Sequence, residues 1–446
     1  MSSGGGQDVI TTLGPGADFR HDYDYLAGYK DRSDRELERL LRFRRHTEGA
    51  TRGAIEERVA EHFDSLRRRL FESPYYRRVL SSGGLSPRDL GRVSDLAAFP
   101  TLSRAILGEH WREIPVVDEE SRDYCDAALV RSSGSTGAPI QIVRDGYDLV
   151  HMWTMVRYWA IVAEVDLPPA PVVVLLCDLP SGLEYQSRLP TLDGGMLYRI
   201  STRQRCPQKR LASADPDILF SDPSGLHWLL GQGDVPTPRM VLSSAQYLGP
   251  AMRDETTRRL GSPVINYYSS SETGPIAWEC LGRPGHFHVL LPDVWVESLM
   301  GELVVTRLRP SLVPLLRYRM GDAGQVAFDE CDCGYRGLTI SGFSGRRACE
   351  FVGPDGDRVD AWKLARLFKH RALDGFRLTQ VDRCEFCLEL LSADGGTDGG
   401  HRDIDQELIA ALKRLGWRDP KVTVEYPREL TVRGPKPQPF CRQFDG

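Results

Sequence analysis

Long apolar segments are missing from this chain of 446 residues. Its longest apolar runs, such as residues 171–177, are strand-sized, whereas a membrane helix needs roughly 20 consecutive apolar residues. The formal net charge is −5, so the chain has no overall basic field of the kind that recruits nucleic acid or an anionic membrane. We therefore expect neither a membrane span nor a nucleic-acid partner.

Cysteine and lysine are also scarce. Ten cysteines are too few for a disulfide scaffold, and the start of the chain has no basic end followed by an apolar stretch, so no signal peptide is predicted. The Gly/Ser-rich start predicts a disordered tail over residues 1–20. These features indicate a cytoplasmic protein with reduced thiols. Only seven lysines are present, and Lys436 is the last of them.

The chain is long enough to form more than one domain, and 41% of its residues are hydrophobic. Strand-like and helical runs alternate from about residue 130 to 340, which predicts layered α/β structure. The pattern then changes to a smaller α+β arrangement. We predict an N-terminal domain over residues 21–341 and a C-terminal domain over residues 342–446. A capping box, Ser33-Asp-Arg-Glu36, predicts the start of a helix.

A loop of small residues between two strand-like runs is the most informative segment. It consists of Ser132, Ser133, Gly134, Ser135, Thr136 and Gly137. Backbone N–H groups and hydroxyls of such a loop can converge on a phosphate. The loop joins strand to strand and lacks the Gly-Lys-Ser/Thr that opens a helix in a Walker loop. A flexible hairpin tip is the alternative interpretation.

Two further polar segments follow it. Tyr268 to Glu272 ends a β-prone run and combines an aromatic ring that can stack on a base with a carboxylate that can hold magnesium beside a phosphate. Asp322 lies near a later strand, and an acidic residue at a strand end commonly binds ribose hydroxyls. Alone, Glu272 is more often a solvated carboxylate and Asp322 more often a turn residue. The three segments in this order indicate a nucleotide site.

The ordered motifs resemble the adenylate-forming superfamily, which contains the AMP-forming acyl-CoA ligases and adenylation domains, and within it the phenylacetate-CoA ligase branch. The resemblance implies an α/β N-terminal domain of layered sheets and helices with a small, mobile α+β C-terminal domain. It also implies that residues 132–137 hold the leaving phosphates of ATP, that Ser271 contacts the α-phosphate and that Glu272 binds Mg²⁺.

The remaining nucleotide contacts follow from the same resemblance. Adenine is implied to lie against Ser244, Ala245, Gln246 and Tyr268. Asp322 is implied to bind the ribose, and Arg346 the ribose or a phosphate. The superfamily places a lysine near its C-terminus beside the reacting carboxylate, and Lys436 matches that position. The alternative for Lys436 is a solvated residue of the tail.

Cysteines and histidines recur in a pattern suited to a metal. Cys280 precedes His286 and His288, and a Cys-x-Cys-Gly knuckle at Cys331 and Cys333 follows later. Cys/His pairs joined by strands can complete a tetrahedral zinc site, and the alternative is a set of buried thiols with a strand histidine. Members of the phenylacetate-CoA ligase branch look the same. They imply structural zinc on Cys280, His288, Cys331 and Cys333, with His286 as the alternative because the spacing is one residue off.

Three aromatic residues on the predicted helix after the loop, Trp153, Tyr158 and Trp159, are candidate walls for the substrate acid. They favour an aromatic or heteroaromatic carboxylate, although aromatic residues at helical spacing are more often core. The resemblance thus implies ATP-dependent formation of an acyl-AMP with release of pyrophosphate. The alternative function is a non-catalytic nucleotide-binding protein on a decayed ligase fold.

Departures from the superfamily pattern concern the acceptor. Ala138 replaces a frequent lysine, Gln246 replaces a frequent glutamate, the hinge segment reads Arg346-Arg-Ala-Cys349, and the glycine-rich loop after it reads Gly353-Pro-Asp-Gly356-Asp. Adenylation is therefore better supported than thioester formation with free CoA. The acyl acceptor is CoA, a carrier-protein pantetheine or an amine, and the oligomeric state, a homodimer included, stays open.

Overall fold

The computed structural model describes residues 28–116, 128–131, 140–144, 146–177, 184–245, 248–344, 350–361, 364, 367–368, 375–391, 403–427 and 440–444. Two compact units emerge. The first comprises Met1–Val130, Val143–Met320 and Gly324–Phe343, and the second comprises Arg131–Ile142, Gly321–Ala323 and Ser344–Gly446. In the part of the chain that the structure describes, no helix is long and apolar enough to cross a membrane.

The first unit begins with helices. They are α1 (Lys30–Thr47), α2 (Arg52–Ala60), α3 (Phe63–Glu72), α4 (Pro74–Ser82) and α5 (Arg104–Glu109). Apolar residues at helical spacing form their inner faces, and in α1 these are Leu37, Leu40 and Phe43. The capping-box prediction is wrong: α1 starts at Lys30, so Ser33 lies inside the helix, where it is fully buried.

Strands β1 (Ala128–Arg131) and β2 (Gln141–Arg144) pair with each other on either side of the predicted phosphate loop. The loop itself lies outside the described residues. Helix α6 (Gly146–Val162) follows, and most of its described side chains are buried, as expected for a helix in the core. Ser33 of α1 and Thr154 of α6 are hydrogen-bonded through their hydroxyls at 2.7 Å. This contact joins the two helices and explains why Ser33 is not a cap.

The main sheet of the first unit is built from twelve strands. They are β3 (Val172–Cys177), β4 (Tyr185–Leu189), β5 (Gly195–Ser201), β6 (Ile218–Ser221), β7 (Met240–Ser243), β8 (Val264–Ser270), β9 (Gly274–Glu279), β10 (Phe287–Val289), β11 (Val294–Leu299), β12 (Glu302–Arg307), β13 (Tyr318–Glu330) and β14 (Arg336–Ser344). Their order is β11-β12-β13-β14-β10-β9-β8-β7-β6-β3-β5-β4. Helices α7 (Pro207–Ala214), α8 (Pro223–Leu230) and α9 (Pro250–Leu260) connect strands of the parallel part.

Strands β5, β3, β6, β7 and β8 run parallel, and β8 pairs with β9 in the antiparallel sense. Their registers align Ser221, Ser243 and Asn266 across three neighbouring strands. Every residue of β7 and β12 is buried, and each strand contains a short run of consecutive apolar residues. Strands β3, β7, β8 and β12, with helices between several of them, confirm the predicted alternation of strand-like and helical runs. In sheets of this kind, ligands bind outside the carboxyl ends of the parallel strands.

The second unit is a small α+β structure, as predicted. Its elements are β15 (Glu350–Val352), β16 (Arg358–Asp360), β17 (Gly375–Asp382), β18 (Glu385–Leu391), α10 (Ile404–Arg414), β19 (Lys421–Glu425) and β20 (Phe440–Arg442). Four strands form a sheet in the order β19-β18-β17-β20. Helix α10 buries Ile404, Leu408 and Leu412 in the core of this unit. The chain leaves the helix at Gly416, whose φ of +113° suits glycine.

Candidate active site

Hydroxyl side chains gather at the carboxyl ends of β7 and β8. Ser244 directly follows β7, and its Oγ lies 3.0 Å from Oγ of Ser269 near the end of β8. Ala245 has a φ of +73°, a left-handed conformation that turns the chain sharply after the strand. Tyr268 is buried, with its ring centroid 4.4 Å from that of Phe343. Three of the predicted adenine-binding residues thus lie close to one another in the fold, while Gln246 is outside the described residues.

A tight turn after β8 positions the predicted catalytic pair, Ser271 and Glu272. Oγ of Ser270 accepts hydrogen bonds from the backbone N–H groups of Glu272 and Thr273, at 3.2 and 3.1 Å. The backbone carbonyl of Ser271 accepts a hydrogen bond from Nη2 of Arg144 at 2.6 Å. The conformation of this turn is therefore fixed by the side chains of both Ser270 and Arg144.

The Glu272 carboxylate is almost fully buried and is paired with arginine. Nη1 of Arg104 donates to its Oε1, and Tyr318 also hydrogen-bonds it. Burial and the Glu272 charge raise the pKa of Tyr318 well above its usual value. Leu102 forms a parallel bridge with Tyr318, and this brings the start of α5, and with it Arg104, to the turn. A carboxylate oxygen is a donor that Mg²⁺ prefers, so Glu272 fits the predicted role if Arg104 releases it.

A cavity of about 260 Å³ opens beside this turn. Its lining combines polar or charged residues with apolar ones: Arg144, Asp148, His151, Met152, Phe220, Tyr267, Ser269, Ser270, Ser271, Gly274, Pro275, Arg307 and Arg309. It lies at the carboxyl ends of β6 and β8, with one face formed by the first turns of α6. This is where the sheet topology places a ligand.

Buried ion pairs hold the charged residues that line the cavity. Asp148 accepts hydrogen bonds from Arg309, at 2.5 Å, and from the hydroxyl of Ser311, at 2.8 Å. Burial opposes ionisation of Asp148, but the guanidinium groups of Arg309 and Arg307 outweigh it and hold the pKa of Asp148 well below its usual range. The carboxylate is therefore charged at neutral pH.

His151 belongs to the same buried network. Its Nε2 lies 2.8 Å from Oδ2 of Asp293, and Oδ1 of the same carboxylate accepts a hydrogen bond from Arg39. Burial, followed by the neighbouring Arg309, lowers the pKa of His151. Burial opposes ionisation of Asp293, but Arg39, His151 and Arg309 together outweigh it, so the pKa of Asp293 is strongly depressed. His151 is thus a neutral ring held in one orientation by a charged carboxylate.

The three aromatic residues predicted as substrate walls lie elsewhere on α6. Trp159 is fully buried and packs on Tyr267, with 4.6 Å between ring centroids. Tyr158 packs edge-on against Trp278 at 5.6 Å. Neither these two nor Trp153 is among the residues that line the 260 Å³ cavity. Their contact with substrate stays a prediction.

A second cluster brings together the four predicted metal ligands. The donor atoms of Cys280, His288, Cys331 and Cys333 all lie within 4.8 Å of one another. Sγ of Cys280 is 3.6 Å from Sγ of Cys331, and Sγ of Cys333 is 3.9 Å from Nε2 of His288. Ligand atoms around a tetrahedral zinc with Zn–S bonds of about 2.3 Å lie about 3.8 Å apart. The cluster therefore fits a zinc ion in both chemistry and spacing.

Stacking orients the histidine of this cluster. The His288 ring lies parallel to that of Tyr335, with 4.2 Å between centroids. Burial lowers the pKa of His288 to about 3 and raises that of Cys333 to about 12. The imidazole is neutral, as a metal ligand must be. His286 points instead to Asp329, with 3.3 Å between Nε2 and Oδ2, and is not part of the cluster.

Several predicted residues are not brought to the cavity by the described structure. Asp322 lies in β13 and is half-buried. Arg346, Lys436 and the loop 132–137 lie outside the described residues. Their roles in binding ATP stay predictions.

Five polar or charged residues near the candidate site were missed by sequence reasoning: Arg104, Asp148, His151, Arg307 and Arg309. A signal existed for four of them. Asp148 and His151 are polar residues one turn apart on a largely apolar helix, and Arg307-Leu-Arg309 lies at the end of a fully buried strand. A charged residue in such surroundings needs a partner or a ligand.

Comparison with known proteins supports the resemblance. No family model matches the chain. The phenylacetate-coenzyme A ligase of Thermus thermophilus is 26% identical over 305 residues, which cover 61% of this chain and 66% of the ligase. The ligase of the same name from Escherichia coli is 26% identical over 283 residues, which cover 56% and 62%. The matched stretch is thus less than two thirds of each relative.

Solved structures show the same fold. The 2-hydroxyisobutyryl-CoA ligase in complex with 2-HIB-AMP and CoA superposes with a TM-score of 0.56 and 15% identity, over 89% of this chain and 91% of that one. Its postadenylation complex with R3-HIB-AMP gives a TM-score of 0.55. The chain is thus similar in sequence to phenylacetate-coenzyme A ligases and has the fold of the adenylate-forming acyl-CoA ligases.

Proposed function

We propose that this protein activates a carboxylic acid with ATP, forms an acyl-AMP and releases pyrophosphate. The acyl group then passes to a thiol, of CoA or of a carrier-protein pantetheine, or to an amine. The observation that carries the proposal is the gathering of Ser244, Ser269 and Glu272 at the carboxyl ends of parallel strands, beside a cavity of small-molecule size. The homologues named phenylacetate-coenzyme A ligase and the solved acyl-AMP complexes point to the same chemistry.

The proposed reaction joins two anions. A carboxylate oxygen attacks the α-phosphorus of ATP, the new P–O bond forms as the bond to the β-phosphate oxygen breaks, and pyrophosphate takes the bonding electrons. Repulsion between the reactants must be offset by fixed donors and cations. We assign that work to residues 132–137 at the leaving phosphates, Ser271 at the α-phosphate and Lys436 at the carboxylate.

Glu272 is the proposed magnesium ligand, and a bound Mg²⁺ would neutralise phosphate charge. Tyr268, Ser244, Ala245 and Gln246 are proposed to contact the adenine. Asp322 would bind the ribose hydroxyls and Arg346 the ribose or phosphate. Arg144 and Arg307 support the turn that carries Ser271 and Glu272. They donate hydrogen bonds to the backbone carbonyls of these two residues and so fix the turn before substrate binds.

For the Cys/His cluster we propose a structural zinc ion. All four donor atoms belong to the protein, so no coordination position is left for a reacting water or substrate. The ion would tie β10 to the loop between β13 and β14. It would supply stability and no step of the reaction.

Exchange of radioactive pyrophosphate into ATP tests the proposed function. Acid-dependent exchange with a panel of aryl and alkyl carboxylates is expected, because formation of the acyl-AMP is reversible. Absence of exchange with every acid, combined with measurable ATP binding, would favour the non-catalytic nucleotide-binding protein instead.

A further inference from the structure

Apolar side chains and guanidinium groups both line the 260 Å³ cavity beside the Ser271 turn. Phe220, Tyr267 and Met152 are apolar lining residues, and the Phe220 and Tyr267 rings lie 5.8 Å apart between centroids. Arg307 and Arg309 also line the cavity. A flat apolar body with a polar substituent suits both kinds of lining.

The two arginines are fixed in place. Arg307 donates to the carbonyls of Glu272 and Val313 and, at 2.8 Å, to the hydroxyl of Ser311. Arg309 donates to Asp148. Both side chains are only 3 to 4% exposed. Such preorganised donors suit the recognition of a carboxylate or another oxygen acceptor.

A role in stability alone does not account well for this arrangement. Replacing a buried ion pair by well-packed apolar side chains is often neutral or even stabilising. Buried charges therefore stabilise a protein core no better than apolar side chains do. These charges also border open volume. Among the described lining residues there are three guanidinium groups, Arg144, Arg307 and Arg309, and one carboxylate, Asp148. The lining is therefore complementary to a ligand with an electron-rich oxygen.

The size of the cavity favours a small ligand. Pockets for drug-sized ligands are roughly 300–1,000 Å³, and 260 Å³ is below that range. A single ring with one or two small substituents is a suitable occupant, whereas a long acyl chain is not.

We propose that this cavity receives the acyl part of the substrate, which is a small aromatic carboxylic acid carrying a second oxygen substituent, a hydroxyl or a carboxylate. The ring lies against Phe220 and Tyr267, and the second oxygen accepts hydrogen bonds from Arg309, with Arg307 beside it. The reacting carboxylate stays at the Ser271 end of the cavity. This inference rests on the proposed function, because it assigns the substrate class of the same site.

The test compares benzoate with hydroxy- and carboxy-substituted benzoates in pyrophosphate exchange. All of these acids keep the reacting carboxylate, so a preference reports on the second substituent alone. We expect the best substituted acid to exceed benzoate in kcat/KM by at least about tenfold, since a site built to hydrogen-bond a substituent rejects the analogue that lacks it. Exchange with benzoate equal to or better than with every substituted acid would overturn the inference and leave the proposed function standing.

Variants of Arg309 assign the preference to this residue. Arg309→Gln should reduce the ratio between the substituted acid and benzoate toward one, and Arg309→Lys should retain part of it, while the KM for ATP changes little. Arg239→Gln, at an exposed arginine paired with Asp217, is the control and should keep the wild-type ratio. An unchanged ratio in Arg309→Gln, with exchange still measurable, would contradict the assignment.

Equilibrium binding distinguishes failure of the proposed substrate class from failure of the proposed reaction. Isothermal titration of the same acids into the wild type and Arg309→Gln needs no turnover. If no acid supports exchange but a substituted benzoate binds in an Arg309-dependent way, the substrate class stands and the proposed reaction falls. If no acid of the panel binds or reacts, both fall.

Discussion

Arg104 hydrogen-bonds the carboxylate of Glu272, although 168 residues separate them in the chain. The predicted magnesium ligand thus has a cationic partner within the protein. If Glu272 binds Mg²⁺ as proposed, Arg104 competes with the metal for the same carboxylate, and the pair affects the metal dependence of the reaction.

We predict opposite effects of the two residues on the magnesium requirement. Glu272→Gln should reduce pyrophosphate exchange by about a hundredfold or more and raise the Mg²⁺ concentration for half-maximal rate, because a metal ligand is lost. Arg104→Gln should lower that concentration, because the competitor is removed. Magnesium titrations at fixed ATP measure both, and a higher requirement in Arg104→Gln would show that Arg104 supports the metal site.

The next prediction concerns Lys436, the proposed catalytic lysine. Lys436→Ala should suppress acyl-AMP formation by about a hundredfold or more, because the attacking carboxylate loses its cation. Lys421→Ala is the matched control, since Lys421 is exposed and pairs with Glu385 on the surface of the second unit. Its exchange rate should stay near wild type. Equal rates for the two variants would move the cation's role to another residue.

A third prediction concerns the metal cluster. Protein purified without chelators should contain about one equivalent of zinc per chain by elemental analysis. Cys331→Ser should lose the metal and lower the Tm more than it changes ATP affinity, since the ion braces strands away from the nucleotide. His286→Ala should keep the metal, because His286 pairs with Asp329. Less than a tenth of an equivalent in the wild type would rule out the site.

The limits of sequence reasoning are visible at particular residues. Strands such as β7 and β12 could be predicted because each contains a short apolar run that is fully buried. The cysteines of the metal cluster could be predicted from their spacing, but His286 and His288 are two residues apart, and period-two alternation gives them the same face. Their contacts distinguish the two histidines: His286 lies beside Asp329, and His288 lies beside the thiol of Cys333.

Contacts between distant parts of the chain were beyond prediction. Ser33 has the local pattern of a cap, yet it hydrogen-bonds Thr154 inside the core, so a tertiary contact overrides the local preference. Arg104 carries no local signal of its pairing with Glu272. The walls of the cavity illustrate the same point. Helical spacing predicted large aromatic residues as walls for the substrate, whereas the cavity is lined by Asp148 and His151 from the start of the same helix.

The buried network around Asp293 gives a prediction about stability and pH. Asp293→Asn should lower the free energy of unfolding by about 3–5 kcal/mol, because it leaves the charge of Arg39 without its buried partner. Asp64→Asn removes an exposed pair with Arg67 and should cost less than about 1 kcal/mol. Denaturant titrations at neutral pH compare the two, and equal effects would contradict the assigned role.

The sign of the pH effect follows from the depressed pKa of Asp293. A depressed pKa in the folded state stabilises the fold above the unfolded value of about 3.9, and the contribution is lost as the pH falls below it. The difference in stability between wild type and Asp293→Asn should therefore shrink below about pH 4.

The last prediction concerns the acyl acceptor. It rests on the differences between this chain and the superfamily pattern in the hinge and the glycine-rich loop. If residues 346–349 and 353–357 no longer shape a channel for pantetheine, the enzyme should form acyl-AMP readily and use free CoA poorly. Thiolysis requires the small domain to change position and admit a thiol, whereas adenylation needs only the arrangement with Lys436 at the carboxylate. Incubation with ATP, a competent acid and saturating CoA should leave acyl-AMP in excess of acyl-CoA, as measured by chromatography. A carrier-protein thiol or an amine, added in place of CoA, should discharge it faster. Rapid and complete conversion to acyl-CoA would contradict this prediction and identify free CoA as the acceptor.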